Sequence, residues 1–258
     1  MSSSDALCRV GTHTEFRKHV VWFPHAGGAT APLFKQMRAL SASPSTLPTL
    51  NLWAVRLAGR ESRFSEPLET EMESLVDTLA HDLERQFQPD DELVLAGHSL
   101  GALIAYRLAS RFLPTDAAAS CPSVKGLIVM GSSPPMKWTQ NRDWLDWADD
   151  AFADELDRRY GGLPAGLKDH PDALAMFLPI VRADLQLARG VSEANHPVLP
   201  VPIRAFAGAD DQVANRVKMQ GWQSLTQGGF SLRVLPGGHF FPLPNLSKIL
   251  LTAESMLG

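Results

Sequence analysis

One stretch, from Glu92 to Leu108, constrains the fold of this chain more than any other, because it joins an apolar strand, a tight turn and an apolar helix around one serine. The run 92–96 is short, apolar and preceded by two aspartates, a pattern typical of a buried strand in a parallel sheet. Residues 97–101 read GHSLG and match the pattern G-x-S-x-G. Apolar residues then recur at helical spacing as far as Phe112. Strand, turn and helix therefore follow in the order that presents a nucleophilic serine on a sharp turn.

Ser99 is the predicted nucleophile of this turn. A serine in that position has a strained backbone, and the glycines two residues away on each side let the chain pass closely. The helix that begins after Ser99 directs its first backbone amides toward the group that the serine would attack. The amide of Leu100 is therefore a candidate donor to an oxyanion.

Strands and amphipathic helices alternate along the rest of the chain, which predicts an α/β fold with a mostly parallel central sheet flanked by helices. Strands are expected at 19–23, 50–57, 92–96, 124–130, 203–207 and 232–235. Helices are expected at 32–40, 69–87, 143–160, 170–189, 214–225 and 246–257, besides the helix after Ser99. No shift in composition divides the 258 residues, so we expect one domain over 1–258.

About 65 residues separate the strand that ends at Met130 from the next strand, far more than an ordinary crossover connection needs. The excess predicts a two-helix insertion at about 136–197. Its second helix, interrupted by Pro179, carries an apolar face that includes Phe177 and Leu178. We interpret the insertion as a lid and expect Phe177 and Leu178 to contact the substrate. A helical cap that only covers the core is the alternative.

Composition argues against several classes of partner. The net charge of −4, with no basic stripe, is unlike that of a protein that binds nucleic acid. The first residues do not form a signal peptide and no apolar run reaches membrane-spanning length, so we expect a soluble, cytoplasmic protein that binds no membrane. Cys8, expected in an N-terminal tail, and Cys121, in a loop, form neither a disulfide framework nor a metal-ligand spacing. We expect no metal, no cofactor and a monomer.

A serine hydroxyl needs a base within hydrogen-bond reach and a carboxylate that orients the base. His239, on a glycine turn after the last predicted strand, fits the base best. His25 and His98 are its competitors: His25 is interpreted as orienting the glycine loop after the first strand, and the side chain of His98 should point away from the serine. The chain order of serine, acid and histidine is that of α/β hydrolases, and it leaves Asp210 and Asp211 as candidate acids.

Five motifs follow one another along the chain: FPHAGG at 23–28, GRE at 59–61, GHSLG at 97–101, LPIVRAD at 178–184 and GGHFF at 237–241. Together they resemble the type II (external) thioesterases of polyketide and nonribosomal peptide synthetases. The resemblance covers nearly the whole chain beyond about residue 15. It implies the α/β-hydrolase fold for this chain.

The resemblance also implies roles for individual residues. The family's acid lies about 28 residues before the histidine, which indicates Asp211 in this sequence. Asp210 remains the alternative, because the family's acid turn usually continues with proline and valine, whereas Asp211 is followed by Gln-Val-Ala at 212–214. The amide of Ala26 is implied as the second oxyanion donor. We expect His25 and Phe240, within two of the motifs, to contact the substrate.

The function implied by the resemblance is hydrolysis of acyl thioesters on the phosphopantetheine arm of acyl or peptidyl carrier proteins, which frees a stalled synthase. Ser99 would attack the carbonyl, His239 would take and return the proton, and Asp211 would hold the imidazolium. A carboxylesterase or lipase that acts on free small esters is the alternative on the same scaffold. A binding module whose lid only sequesters a ligand is a third interpretation.

Carrier proteins present an acidic helix beside the attachment site of the arm, so we expect a basic surface to receive them. The first helix of the insertion is itself acidic, which makes it a poor landing surface. The better candidate for docking is therefore the loop that contains Arg56, Arg60 and Arg63. The interpretation that we favour for these arginines, however, is that Glu61 and Glu66 pair with them and hold the loop.

Overall fold

The computed structural model describes residues 6–11, 16–42, 49–112, 122–138, 143–161, 163, 166–189 and 191–257. Within these ranges one sheet contains seven strands: β1 (Leu7–Val10), β2 (Lys18–Phe23), β3 (Asn51–Val55), β4 (Glu92–His98), β5 (Ser123–Met130), β6 (Ile203–Gly208) and β7 (Phe230–Leu235). Their order across the sheet is β1-β3-β2-β4-β5-β6-β7. Strands β2 to β7 run parallel to their neighbours, whereas β1 runs antiparallel to β3.

The helices are α1 (Ala31–Ser41), α2 (Met72–Gln86), α3 (Leu100–Arg111), α4 (Asp149–Tyr160), α5 (Pro171–Gln186), α6 (Arg216–Met219) and α7 (Leu246–Glu254). Helices α2 and α3 cover one face of the sheet, and α1 and α7 cover the other. Successive strand residues point to opposite faces. In β4, Leu93 and Leu95 pack with α2 and α3, while Val94 and Ala96 pack with α1 and α7. A parallel sheet buried on both faces confirms the predicted α/β-hydrolase class.

Strand β1 was not expected from the sequence, which indicated an N-terminal tail around Cys8. Residues 7–10 instead form an edge strand on β3, with Leu7 opposite Val55 and Val10 opposite Leu52. The Cys8 thiol donates a hydrogen bond to the Ala54 carbonyl at 3.2 Å. A four-residue edge strand is too short to give a periodic signal, and its partner supplies the pairing. The other cysteine, Cys121, lies outside the described residues.

Helix α5 is continuous, so the interruption expected at Pro179 is wrong. Pro179 is exposed, and its ring lies on the outer side of the helix. On the inner side Leu178 and Val181 are buried in the insertion, where their packing holds the helix together despite the lost backbone donor.

Two other helices are shorter than their patterns predict. The segment 143–160 begins as a 3₁₀ turn at Asp143–Asp146, and α4 starts only at Asp149. The segment 214–225 contains the short helix α6 followed by a 3₁₀ turn at Gln220–Leu225. Gly221 in that turn lies close to Pro134, which follows β5, so packing against the neighbouring loop replaces further α-helix.

The segment between β5 and β6, which we name the insertion, contains α4 and α5. Many of its buried residues form an apolar cluster apart from the two clusters of the sheet, with Trp144, Phe152 and Leu178 among its members. Leu187 and Val191, further along the insertion, belong instead to the cluster of α2 and α3. None of the helices in the described ranges combines the length and the apolar character that a membrane span requires.

Candidate active site

Ser99 lies on the sharp turn between β4 and α3, with backbone angles φ 54° and ψ −117°. A positive φ is unfavourable for a residue with a side chain, and such strain is concentrated at functional sites. The turn is so tight that a Cβ at Gly97 would overlap the backbone of Gly101, and a Cβ at Gly101 would overlap the carbonyl of Phe23. The Ser99 amide donates to the Met130 carbonyl at 2.8 Å. The two glycines of the motif are therefore required by the close approach of neighbouring backbone.

His239 lies in the loop after β7, where the structure brings its ring against a buried carboxylate. His239 Nδ1 lies 3.0 Å from Asp211 Oδ2, and the two side chains are only 4% and 0% exposed. The other oxygen, Asp211 Oδ1, accepts the amides of Val213 at 2.8 Å and Ala214 at 3.0 Å. Because both of its oxygens are held, the carboxylate fixes the His239 ring with Nε2 on the far side from Asp211.

The carboxylate of Asp211, rather than that of Asp210, contacts His239. Asp210 has an exposed side chain, and its amide donates to the Gly237 carbonyl at 3.0 Å. Burial alone would raise the pKa of Asp211, but the hydrogen bond and charge of His239 and the two backbone amides outweigh burial and lower that pKa. Asp211 is therefore an anion beside His239 at neutral pH.

Two more histidines surround His239. His98 Nε2 lies 2.8 Å from the His239 carbonyl oxygen, and His25 Nδ1 lies 2.9 Å from the Ala26 carbonyl oxygen. A carbonyl only accepts, so each ring donates from that nitrogen. Burial lowers the pKa of His98 well below its ordinary value and lowers the pKa of His25 to about 4. Both rings are therefore neutral at pH 7, and each one holds a loop of the site.

Two cavities meet at Ser99. The first, which we name the α5 cavity, has a volume of about 360 Å³ including its open mouth, and its lining includes Ser99 and His239. Its apolar walls are Ala26, Leu156, Phe177, Val181, Leu185 and Phe240. The second, which we name the Lys137 cavity, has a volume of about 460 Å³ including its mouth. Its walls include Ser132, Ser133, Lys137, Trp138, Trp144 and Val213.

Of the four residues expected to contact the substrate, three line a cavity at Ser99 and one does not. His25, Phe177 and Phe240 all line the α5 cavity. Leu178 does not, because it is 0% exposed and lies in the apolar cluster of the insertion. Consecutive residues of a helix point about 100° apart, so the neighbour of a cavity-facing residue faces the interior of the insertion. Leu178 is therefore a core residue rather than a wall of the cavity.

The two backbone amides expected to bind an oxyanion belong to residues near Ser99. Leu100 is the first residue of α3, where helix amides have no partner within the helix. Ala26 lines the α5 cavity in the loop after β2. The next residue, Gly27, has φ 73°, and a Cβ there would lie 2.7 Å from Val181 Cγ2. Helix α5 thus packs directly against the loop that carries the Ala26 amide.

A buried ion pair joins this loop to α5. Arg60 and Asp184 are 7% and 4% exposed and form two parallel hydrogen bonds, Nη1 to Oδ2 at 2.7 Å and Nη2 to Oδ1 at 2.6 Å. The Gly27 amide donates to Asp184 Oδ2 at 2.7 Å, and Arg60 Nη1 donates to the Gly28 carbonyl at 3.2 Å. Two of the five sequence motifs, GRE and LPIVRAD, therefore meet on the glycine loop.

The loop expected to dock a carrier protein is not a basic surface. Arg63 is buried and donates to Glu66 and to the Arg56 carbonyl, and Arg60 is buried against α5. Glu61 accepts hydrogen bonds from Arg56 and from the first amides of α1 rather than from Arg60. The docking expectation is therefore wrong, because these arginines stabilise the loop from within.

Sequence reasoning missed three contributors to the site. Tyr160, the last residue of α4, lies with its ring 5.0 Å from the ring of His239 and lines both cavities. His98 was set aside as a base, yet it holds the His239 backbone. Asp184 was noted only within a motif. Only the position of Asp184 in that motif could have identified it. Its partner, Arg60, lies 124 residues away in the sequence, and no local pattern indicates that pairing.

Within the described ranges no group of three or more His, Cys, Asp or Glu side chains is arranged to hold a metal ion.

The sheet order and the serine on a strained strand-to-helix turn define an α/β-hydrolase fold. The family model described as "Thioesterase domain" matches residues 18–257. Thioesterase PikA5 of Streptomyces venezuelae is 30% identical over 222 residues, which cover 86% of this chain and 74% of that protein. The medium-chain S-acyl fatty acid synthase thioesterase of Rattus norvegicus is 29% identical over 226 residues, with 86% and 80% covered.

Solved structures of thioesterases also superpose on this chain. RedJ, a thioesterase from the prodiginine biosynthetic pathway in Streptomyces coelicolor, superposes with a TM-score of 0.79 at 29% identity, covering 94% of this chain and 91% of RedJ. The type II thioesterase BorB from the borrelidin biosynthetic cluster superposes with a TM-score of 0.78 at 26% identity, covering 100% and 98%. The chain belongs to the thioesterase family, whose members hydrolyse thioesters.

Proposed function

We propose that this protein hydrolyses acyl thioesters carried on the phosphopantetheine arm of acyl or peptidyl carrier proteins, with Ser99, His239 and Asp211 as its catalytic triad. The observation that carries the proposal is the position of Ser99. It lies on a strained turn where two cavities meet, and His239, held by the buried Asp211, lines one of these cavities.

In the first half of the reaction, Ser99 Oγ attacks the thioester carbonyl carbon while His239 Nε2 takes the serine proton. The charge that develops on the carbonyl oxygen is stabilised by the amides of Ala26 and Leu100. The carbon–sulfur bond then breaks, and the thiol of the arm leaves with the proton from His239. An acyl ester on Ser99 remains.

In the second half, His239 takes a proton from water, and the resulting hydroxide attacks the acyl ester. Collapse of the second tetrahedral intermediate returns the proton to Ser99 Oγ and releases the carboxylic acid. Asp211 stabilises the imidazolium in both halves and holds the ring in the tautomer that accepts at Nε2. The lowered pKa of Asp211 supports this role because the carboxylate stays charged.

The α5 cavity suits the acyl group. Most of its wall is apolar, and α4 and α5 of the insertion supply Leu156, Phe177, Val181 and Leu185. An acyl chain that enters it is removed from water, which favours binding by about 0.8 kcal/mol for each buried methylene. We propose that the insertion, at about 136–197 in a single α/β-hydrolase domain, serves as the lid of this site.

The biological role that fits best is the editing of polyketide or nonribosomal peptide synthases. The type II resemblance supports it, and so do the relatives: BorB is named a type II thioesterase of a biosynthetic cluster, and RedJ a thioesterase of a biosynthetic pathway. Removal of a wrong acyl group from the arm would free a stalled carrier protein. The identity to the fatty acid synthase thioesterase supports a second candidate, which is release of fatty acyl chains from a carrier.

A panel of substrates tests the proposal. Short acyl, medium-chain acyl and aminoacyl groups would be presented on a holo carrier protein and as matched ethyl esters, and the Ser99→Ala variant would serve as the inactive control. We expect hydrolysis of the carrier thioesters with kcat/KM at least about a hundredfold above the esters, and loss by several orders of magnitude in Ser99→Ala. A preference for short aberrant groups supports editing, and a preference for medium chains supports fatty acyl release. Equal or faster hydrolysis of the esters would instead identify a carboxylesterase.

A further inference from the structure

We propose that the Lys137 cavity is the entrance for the phosphopantetheine arm, and that the acidic helix of the carrier protein docks beside it on the cations of α6. This inference rests on the proposed function and names the surface that its partner uses. The surface, which we name the α6 patch, consists of Lys137, Arg216, Val217 and Lys218.

Two distinct cavities open at Ser99, and a thioester substrate needs two, one for each of its halves. When its carbonyl carbon lies at the serine, the acyl chain and the sulfur-linked arm extend from that carbon in different directions. The α5 cavity has apolar walls, so it suits the acyl chain. The Lys137 cavity carries Ser132, Ser133 and Lys137 beside two tryptophans, and its polar groups suit an arm that contains two amides and a phosphate.

Three cations lie in or close to the wall of the Lys137 cavity. Lys137 lines the cavity itself and is exposed. Lys218 Nζ donates to the carbonyl of Val213 at 2.7 Å, and Val213 is part of the cavity wall, so this ammonium lies at the cavity as well. Arg216 is exposed on α6, two residues before Lys218 and two residues after the wall residue Ala214. Phosphate and carboxylate groups are the ligands that such cations bind best.

These cations are available to a partner. Among the described residues neither Lys137, Arg216 nor Lys218 lies within ion-pair distance of an acidic side chain. Elsewhere on the insertion the cations are neutralised locally: Glu155 pairs with two arginines, and Lys168 pairs with Asp154. An anionic surface would therefore find uncompensated positive charge at the Lys137 cavity.

The α6 patch also contains an exposed apolar side chain, and its two segments pack against each other. Val217 is 82% exposed between the two α6 cations, the most exposed of the large apolar side chains in the described ranges. The segment after α6 packs on the turn that carries Lys137: Gly221 lies against Pro134, and the Trp222 indole donates to the Ser132 carbonyl at 2.7 Å. Arg216, Val217 and Lys218 are consecutive exposed residues of α6, so charge and apolar surface adjoin there, where an acidic helix can contact them.

The experiment compares three thioesters of one acyl group: on a holo carrier protein, on free phosphopantetheine, and on N-acetylcysteamine, which has neither protein nor phosphate. The variants are Arg216→Glu with Lys218→Glu, and separately Lys137→Ala. The matched control is Arg38→Glu with Lys248→Glu, an equal change in net charge on exposed residues of α1 and α7 that line neither cavity.

We expect the α6 double variant to raise KM for the acyl carrier protein at least about tenfold and to flatten its dependence on salt, because opposed charges attract less as salt rises. Lys137→Ala should raise KM for both phosphate-bearing substrates. In the α6 double variant, hydrolysis of the N-acetylcysteamine thioester should fall far less than hydrolysis of the acyl carrier protein, since the small thioester lacks the groups that these cations contact.

Two results would overturn the docking surface while leaving the proposed function intact. One is an unchanged KM for the acyl carrier protein in the α6 double variant. The other is an equal rise in the Arg38→Glu with Lys248→Glu control, which would show that net charge alone acts. A parent protein that hydrolyses none of the three thioesters would instead refute the proposed function, and the docking surface with it.

Discussion

Asp184→Asn should destabilise the protein far more than the loss of an ordinary carboxylate. The Arg60 and Asp184 side chains are 7% and 4% exposed, so the variant leaves a buried guanidinium without its counter-charge. Breaking a buried pair from one side costs about 3–5 kcal/mol. For a chain of this size that loss lowers Tm by roughly 6–20 °C, at about 2–4 °C for each kcal/mol.

A second variant separates stability from activity. Replacing both partners by apolar residues of similar size, Arg60→Met with Asp184→Leu, should recover much of the stability because no buried charge is left unpaired. It cannot replace the acceptor of the Gly27 amide, which Asp184 Oδ2 holds at 2.7 Å. The loop with the Ala26 amide is then less constrained. Complete loss of one oxyanion donor costs about 10²–10³ in kcat, and we expect at least about a tenfold loss here.

The assay is urea unfolding followed by kcat on a small soluble thioester, with Asp149→Asn as the matched control. Asp149 of α4 pairs with Arg182 of α5, but the Asp149 side chain is 66% exposed, so its loss should cost less than about 1 kcal/mol. The reasoning fails if Asp184→Asn costs no more than Asp149→Asn. It also fails if the apolar double variant has the kcat of the parent, because the ion pair would then have no effect on the oxyanion loop.

Other substitutions test the rest of the site. Phe177→Ala should change the chain-length preference of kcat/KM, whereas Leu178→Ala should leave that preference unchanged and cost about 2–5 kcal/mol of stability in urea; the same pattern for both would refute their different placement. Asp211→Asn should lower kcat by about 10⁴-fold and Asp210→Asn by less than about tenfold, and the reverse ranking would transfer the role to Asp210. As the pH falls below 6.5, the unfolded chain gains protons that buried His98 and His25 do not, so the free energy of unfolding should fall, and His98 alone contributes up to about 1.4 kcal/mol per pH unit. In a pH series of urea melts His98→Asn should flatten that slope, and an unchanged slope would show that His98 is not its source.

The sequence predicts local features of this fold well, because each one has a local cause. The turn around Ser99 needs glycine where neighbouring backbone approaches, and the alternating strands and helices follow from burial on both faces of the sheet. The spacing of Asp211 and His239 comes from the family resemblance, and the structure places the two side chains 3.0 Å apart.

Contacts between distant segments could not be predicted in the same way. Arg60 was expected at the surface because its neighbours are charged, yet a partner 124 residues away buries it. Tyr160 has no motif around it, and only the packing of the insertion brings it beside His239. Leu178 was assigned to the cavity because a helical pattern shows which residues are apolar but not which of two apolar surroundings each one faces.

The most direct test of the account is to trap the acyl-enzyme. Parent protein and Ser99→Ala would be mixed with an acyl carrier thioester, quenched in acid within milliseconds to seconds, and examined by intact-mass and peptide mass spectrometry. We expect the parent to gain the mass of one acyl group on the peptide that contains Ser99, at a rate no slower than kcat, and Ser99→Ala to gain none. Turnover without an acyl adduct, or an adduct on another residue such as Ser132 of the Lys137 cavity, would contradict the assignment of Ser99 as the nucleophile.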